Sequence, residues 1–378
     1  MKITFVLHLS DASGGSRVVA THARLLQARG HDVTVVSLPP RPPGLRAIAR
    51  SIVRDHRLPP PVDLGTTHLD TAGVPHRILD RYRPIVDADL PDADVVIATW
   101  WRTAPWVAAL SPAKGAKAHL VQHYEDWGGG PIEEIDAVYR LPLHKICVSR
   151  WLVDLLRTKF NSTDSTLVAN SVDLDQFHAE PRGKQSVPTV GTVYSPVEFK
   201  RFEFARRAFE IAAAAVPNLR MVAFGNGGPF DDIPVPRDTV FHRRPAQDQI
   251  RDIYASTDAW LMGSSSEGFG LPILEAMACR TPVISTPAGA APELVTRGGG
   301  ALVDMKDPAD MAHQIQAIVA LSDDSWRSRS DAAFAVATGY TWDNAADAME
   351  NALNDLARRR RGGTVFTPAA ADRAPALR

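Results

Sequence analysis

The chain opens on a nearly continuous apolar run, Ile3 to Leu9, then a small polar segment, Ser10-Asp11-Ala12-Ser13-Gly14-Gly15-Ser16, then apolar residues at helical spacing, Val18, Val19, Ala23, Leu25 and Leu26. That order predicts a strand, a glycine loop and a helix. Gly30 ends the helix, and Val33 to Leu38 supplies the next strand, which completes a β-α-β crossover of the kind that builds parallel sheets. Short apolar runs recur at 94–98, 118–122 and 145–148. Runs rather than strict alternation suit strands buried on both faces. A second series follows at 189–193, 220–224, 239–241, 259–263, 283–285 and 301–303, with helical patterns between them. The chain therefore reads as α/β, with two doubly wound parallel sheets.

A length of 378 residues exceeds what one core usually organises. The polar segment Glu180-Pro181-Arg182-Gly183-Lys184 has the composition of a linker, which sets domains at 1–183 and 184–340. A terminal helix is expected over 341–360, with a return to the first domain left open, and a disordered tail over 361–378, rich in Ala, Pro and Arg.

Apolar residues make up 45% and charged residues 22%, the balance of an ordinary globular enzyme, and a net charge of -1 gives no sign of a nucleic-acid partner. Cys147 and Cys279 stand far apart without CxxC spacing, so neither a disulfide framework nor a zinc site is expected. The opening apolar run meets His8 too early for a signal peptide, and no stretch of eighteen apolar residues occurs. A cytoplasmic protein is the expectation. Between Pro43 and Pro59, Leu45, Ile48, Ala49, Ile52 and Val53 can share one helical face and Arg46, Arg50, Arg54 and Arg57 the other. Residues 44–58 thus read either as a contact with an anionic membrane or charged acceptor, or as a solvated surface helix.

The segment richest in chemistry is Ser264-Ser265-Ser266-Glu267-Gly268-Phe269-Gly270-Leu271-Pro272-Ile273-Leu274-Glu275-Ala276-Met277-Ala278. Pro272 is tolerated only in a first helical turn, so a helix starts near Gly270 and offers its free N–H groups to an anion at the carboxyl edge of the sheet. Gly268 and Gly270 admit close backbone approach, and Glu267 and Glu275 flank the helix end. Carboxylates beside a phosphate are useful where they accept hydrogen bonds from neutral hydroxyls on attached sugars, which suits a nucleotide sugar. The plainer alternative is that Glu267 caps a turn and Glu275 complements the helix dipole.

This segment resembles the signature of retaining glycosyltransferase family 4, in which two Glu are separated by seven residues, and the likeness continues through Thr281-Pro282-Val283, Ala291-Pro292-Glu293 and Asn170-Ser171-Val172-Asp173. The resemblance implies a GT-B architecture of two Rossmann-like domains facing across a cleft. It implies sugar transfer from a nucleotide-diphosphate sugar to a hydroxyl acceptor, a bacterial glycan, glycolipid or natural product, with retention and without metal or cofactor. It gives Glu267 to the transferred sugar, Glu275 to the ribose, the N–H groups of Phe269, Gly270 and Leu271 to phosphate and sugar, and Lys200 to the diphosphate. Thr192 stands where the family often has Arg after Gly191, and either Arg201 compensates or Thr192 supplies a hydroxyl. Arg280 stands where glycine is usual. Gly14 and Gly15 match the family's first-domain loop, with Ser16 expected as N-cap. Retention follows a front-face path, in which the leaving diphosphate takes the acceptor proton.

On the acceptor side, Gln122-His123-Tyr124-Glu125-Asp126-Trp127 follows a predicted strand, and either His123 or Gln122 aligns with the family's histidine. Its wording resembles members that build rhamnose-containing glycans, with a lipid-linked acceptor among the options. Trp100, Trp101 and Trp127 offer faces for sugar rings, against core packing for one of the adjacent pair. Residues 241–245 are candidates for the base. A nucleotide-sugar epimerase or a non-catalytic sugar-binding module remains the alternative reading, and the absence of GxGxxG after the first strand disfavours an oxidoreductase.

Overall fold

The computed structural model describes residues 1–58, 65–127 and 129–362, so from residue 363 the expected tail lies outside the described residues. Two compact units emerge, one of Met1–Val148, Leu152–Val168 and the residues from Ala346 on, the other of Ser149–Trp151 and Ala169–Ala345.

Among the described residues the first unit holds seven strands: β1 (Lys2–Leu7), β2 (Asp32–Ser37), β3 (His76–Ile78), β4 (Val95–Ala98), β5 (Ala116–Val121), β6 (His144–Cys147) and β7 (Ser165–Leu167). Their order is β3-β2-β1-β4-β5-β6-β7, every pair parallel. The second unit holds β8 (Thr189–Val193), β9 (Arg220–Gly225), β10 (Val240–Arg243), β11 (Ala259–Met262), β12 (Val283–Ser285) and β13 (Gly300–Leu302), in the order β10-β9-β8-β11-β12-β13, again all parallel. All four residues of β4 and of β11 are buried, as the apolar runs require of strands covered on both faces. Edge strands β3 and β7 went unread because each is three residues long and only partly buried.

In each sheet the strand order reverses at one place, between β1 and β4 and between β8 and β11. Loops leaving neighbouring strands there run in opposite directions and open a crevice at the carboxyl edge. Register brings the paired loops level, with Val6 beside Ala98 in one sheet and Thr192 beside Leu261 in the other.

The units divide at Val168, ahead of the boundary read at 183, and segment 180–184 is not a free linker. Arg182 Nη2 donates to Thr257 O (2.6 Å) and Thr281 Oγ1 (2.8 Å), and Lys184 Nζ donates to Val319 O (2.9 Å) and Leu321 O (2.5 Å). Its polar residues anchor it to the second unit. The last helix, Trp342–Arg361, packs Met349 and Leu353 in the first unit, where Arg29 meets Asp347 at 2.7 Å and Arg359 meets Asp164 at 2.9 Å. The apolar burial supplies most of the adhesion, since exposed ion pairs contribute about 0–1 kcal/mol each.

Candidate functional site

In the second unit, β11 feeds a loop that ends on the helix Leu271–Ala278. Gly270 is its N-cap at φ 93°, a left-handed conformation that a side chain would strain, and Pro272 lies in the first turn, where its missing N–H costs nothing. No described residue accepts from the N–H groups of Phe269, Gly270 or Leu271. Those three donors and the helix's positive end form an anion-binding surface.

Two carboxylates frame it. Glu267 is buried, with Ser264 Oγ donating at 2.7 Å to one oxygen and Lys200 Nζ donating at 2.8 Å to each. Lys200 arrives from the short 3-10 turn Glu198–Lys200 after β8, and the two loops are joined where Ser265 N–H donates to Phe199 O at 2.8 Å. Glu275, one turn into the helix, accepts from Tyr254 Oη at 2.8 Å and is also buried. Lys200 retains a one-third exposed side chain, so a bound anion can share its ammonium with Glu267.

Several residues that position this loop were not singled out in the sequence. Ser149 Oγ (2.6 Å) and Trp151 Nε1 (2.8 Å) both donate to Gly268 O, and Thr286 Oγ1 donates to Ser264 O (2.5 Å). Gly289, at φ 62°, lies so close that a Cβ there would sit 2.6 Å from Phe269 O and 2.7 Å from Glu267 Cβ. Each contact joins residues far apart in the chain, which leaves no local pattern to read.

Two expected donor contacts are placed elsewhere. Thr192 is buried in β8 and its hydroxyl donates to Leu261 O at 3.0 Å, which commits its proton to the sheet. Arg201, at φ 47°, donates from Nη1 to Met305 O at 2.8 Å and lies over the Phe204 ring. Lys200 is therefore the cation the structure joins to Glu267. Arg280 takes the left-handed position after the helix, φ 59°, held by Ala179 O at 3.0 Å, by Asp331 at 2.5 Å and by the Phe334 ring. Of the residues read for the base, Phe241 packs edge-on against Tyr194, and Arg244 N–H donates to Gly225 O at 2.8 Å.

The first unit presents a different surface at its own strand reversal. The helix Gly14–Ala28 is capped by Ser13, whose Oγ accepts from Ser16 N–H at 3.3 Å; Ser16 itself lies inside the helix, with Gly14 and Gly15 in the first turn. Gly15 lies beside the Gln122 amide, 3.6 Å from where its Cβ would stand. Trp101 is buried, with Gly130 against its ring, whereas Trp100 is partly exposed and Trp127 is half exposed. His123 is buried, and its Nδ1 lies 2.6 Å from Tyr124 O and 3.1 Å from Trp127 Nε1. Glu125 Oε2 accepts from Trp101 N–H at 2.7 Å, and burial pushes its carboxyl well above the usual range despite that bond. Glu125 thus ties the loop after β5 to the loop after β4.

A family described as "Glycosyltransferase Family 4" matches residues 12–176, and one described as "Glycosyl transferases group 1" matches residues 184–321. The two matches together span most of the chain, each to a glycosyltransferase family. Its relatives include D-inositol 3-phosphate glycosyltransferase of Mycolicibacterium smegmatis, 27% identical over 63% of this chain and 60% of that protein. O-antigen chain mannosyltransferase B of Escherichia coli is 40% identical over 28% of this chain and 27% of its own. The chain spans between about a quarter and three fifths of the length of the curated relatives it matches. Among solved structures, sucrose-phosphate synthase from Thermosynechococcus elongatus has a TM-score of 0.71 at 15% identity, covering 96% of this chain and 100% of that one. HepE from Anabaena, solved with UDP and glucose, also has a TM-score of 0.71 at 15% identity, covering 94% and 100%. The fold is GT-B.

Proposed function

We propose that this family 4-type protein transfers a glycosyl group from a nucleoside diphosphate sugar to a hydroxyl acceptor, with retention and without a metal ion. The observation that carries the reading is the Lys200–Glu267 pair beside three open N–H groups at the start of Leu271–Ala278. The N–H groups and Lys200 hold the diphosphate and stabilise the charge it gains as the glycosidic bond breaks. Glu267 accepts from the hydroxyls of the transferred sugar, and Glu275, oriented by Tyr254, accepts from the ribose hydroxyls. In a front-face displacement the acceptor oxygen bonds to the anomeric carbon on the face that the leaving diphosphate vacates, and a diphosphate oxygen takes the hydroxyl proton. Atoms and charge balance without a positioned base, and Lys200 supplies a cation at the leaving group.

Trp100, Trp127 and His123 are proposed to receive the acceptor in the first unit, where aromatic faces match the apolar faces of sugar rings. A polysaccharide or lipid-linked glycan acceptor and a cytoplasmic setting fit this reading. The helix Leu45–Asp55 leaves Leu45, Ile52 and Val53 exposed beside Arg46, Arg50 and Arg54, which supports peripheral contact with an anionic membrane. Sedimentation with phosphatidylglycerol vesicles, weakened by Ile52→Asp with Val53→Asp, is the expected result; equal recovery of both proteins removes the membrane contact. No helix among the described residues is long and apolar enough to cross a membrane.

The function is tested by incubating the full chain with UDP-, GDP-, ADP- and dTDP-sugars and a mixed glycan acceptor pool, with NMR of the products. One donor is expected to yield a glycoside with the donor's anomeric configuration, lost in Glu267→Ala. An inverted product overturns retention, and an epimerised free donor without transfer overturns the transferase reading.

A further inference from the structure

The aromatic surface at the carboxyl edge of β1 and β4 carries charge that sugar stacking does not need. Val6 and Ala98 are register partners, and Thr99 Oγ1 donates to Val6 O at 3.0 Å, so the residues just beyond the two strands stand together. His8 and Trp100 accordingly pack at a tilt, ring centres 4.0 Å apart and planes at 53°, and His8 Nε2 lies 2.8 Å from Tyr82 Oη. Arg102 lies over both tryptophans, 5.6 Å from the Trp100 ring and 4.5 Å from the Trp101 ring, and Arg41 lies over Tyr82 at 5.8 Å. Neither guanidinium has a carboxylate partner among the described residues. The acid whose charge acts on His8 is Asp11, and its Oδ1 already accepts from Ser13 Oγ at 2.5 Å and Ser16 Oγ at 2.6 Å.

Each guanidinium lies over an aromatic ring with its donors not spent on a carboxylate, so both can receive an oxyanion. The field of both is felt at His8, where burial first, then Arg102 and Arg41, lower the imidazole to about 4. His8 is therefore neutral at pH 7 and adds no charge to those of Arg41 and Arg102.

We propose that Arg41 and Arg102 form an anion subsite, so that the acceptor is a sugar carrying a phosphate or a carboxylate, its ring on Trp100 and its anionic group between the two guanidiniums. The proposal rests on the transferase reading for the word acceptor, but the subsite itself is tested by binding alone. Bidentate forks favour a tetrahedral or planar oxyanion over halide, and the aromatic wall favours a ring-bearing anion over the free ion.

The test is a set of affinities for the full chain, measured by ligand-observed NMR with inorganic phosphate, glucose 6-phosphate, glucuronate and glucose, each repeated on Arg102→Gln, Arg102→Lys and Arg41→Gln. UDP is titrated in parallel. At least one of the two charged sugars is expected to bind tenfold or more tightly than glucose, glucose 6-phosphate to exceed inorganic phosphate, and each glutamine variant to weaken the charged sugar about tenfold. Arg102→Lys is expected to recover only part of that, since an ammonium lacks the fork, and UDP affinity is expected to be unchanged in all three. Which charged sugar binds more tightly separates a phosphorylated from a carboxylated acceptor. The subsite is overturned if glucose matches both charged sugars, if no probe saturates, or if Arg41→Gln leaves the charged sugars unaffected. Weakening of UDP alone would assign the arginines to the donor and also overturn it. Failure of UDP to bind the wild-type chain tells against the donor reading and leaves the comparison of sugars intact.

Discussion

The two units share a sheet order and a place where that order reverses, yet the surfaces at the two reversals have opposite chemistry. In the second unit the loops after β8 and β11 are polar and tightly tied, with Lys200, Ser264 and Glu267 joined and Gly268 O held by two donors. In the first unit the loops after β1 and β4 bring His8, Trp100, Trp101 and Arg102 into one aromatic and cationic cluster. Topology decides where a ligand is received, and side chains decide what is received. A diphosphate needs fixed donors and a countercharge, whereas a sugar ring needs a flat apolar face.

Removing the countercharge gives the largest expected effect. Lys200→Ala strands the buried Glu267 and, on the proposed mechanism, removes the donor to the leaving group, so turnover is expected to fall about 100-fold or more. A loss below threefold in steady-state transfer would detach Lys200 from the diphosphate. Gly289→Ala attacks the tie rather than the charge. Its Cβ must displace Phe269 O or Glu267 in a left-handed backbone, at a cost of about 1–3 kcal/mol, and nucleotide affinity is expected to drop about tenfold while any ligand of the Trp100 surface is unaffected. Calorimetry of both ligands against this variant separates the two surfaces.

A smaller effect falls on the first unit alone. Burial raises the Glu125 carboxyl in the folded chain well above its ordinary range, despite the bond from Trp101 N–H. The folded chain therefore binds the extra proton, and the stability contributed by Glu125 is lost as pH rises from that range toward its raised value. Glu125→Gln keeps an oxygen for Trp101 N–H and has no proton to lose, so the variant is expected to be the more stable at pH 8 and equal at pH 4. Denaturant melts at the two pH values check this, and a constant difference would remove the raised carboxyl. Smallest of all is Arg280→Gly, where relief of about 1 kcal/mol of left-handed strain opposes loss of the Asp331 and Phe334 contacts. A Tm change within about 3 °C and unchanged turnover are expected from a site so balanced.

Sequence legibility also differs between the two surfaces. The strand β8 at Thr189–Val193, the strand β12 at Val283–Ser285 and the helix start at Gly270 could be read because apolar runs and a placed proline are local signals. Glu267 and Glu275 were legible for the same reason, lying within one loop and one helical turn. Ser149, Trp151, Thr286 and Gly289 were not, since their roles depend on contacts made across the fold. Thr192 and Arg201 were drawn toward a ligand by the resemblance, but register gave Thr192 a carbonyl in the next strand and Arg201 a loop carbonyl. Ser13 displaced Ser16 as the cap because Gly14 and Gly15 already adopt helical geometry, so the chain begins to turn earlier than a glycine loop suggests. Segment 180–184 looked like a linker because its residues are polar, and that polarity is spent on backbone carbonyls of the second unit.

The nucleotide site at the start of Leu271–Ala278 is the central claim, and equilibrium titration of UDP, GDP, ADP and dTDP into the full chain and into Lys200→Ala tests it most directly. One of the four nucleotides is expected to bind the wild-type chain with a saturable isotherm and to bind Lys200→Ala at least tenfold more weakly. Absence of binding by all four, or an affinity that Lys200→Ala leaves unchanged, would contradict it.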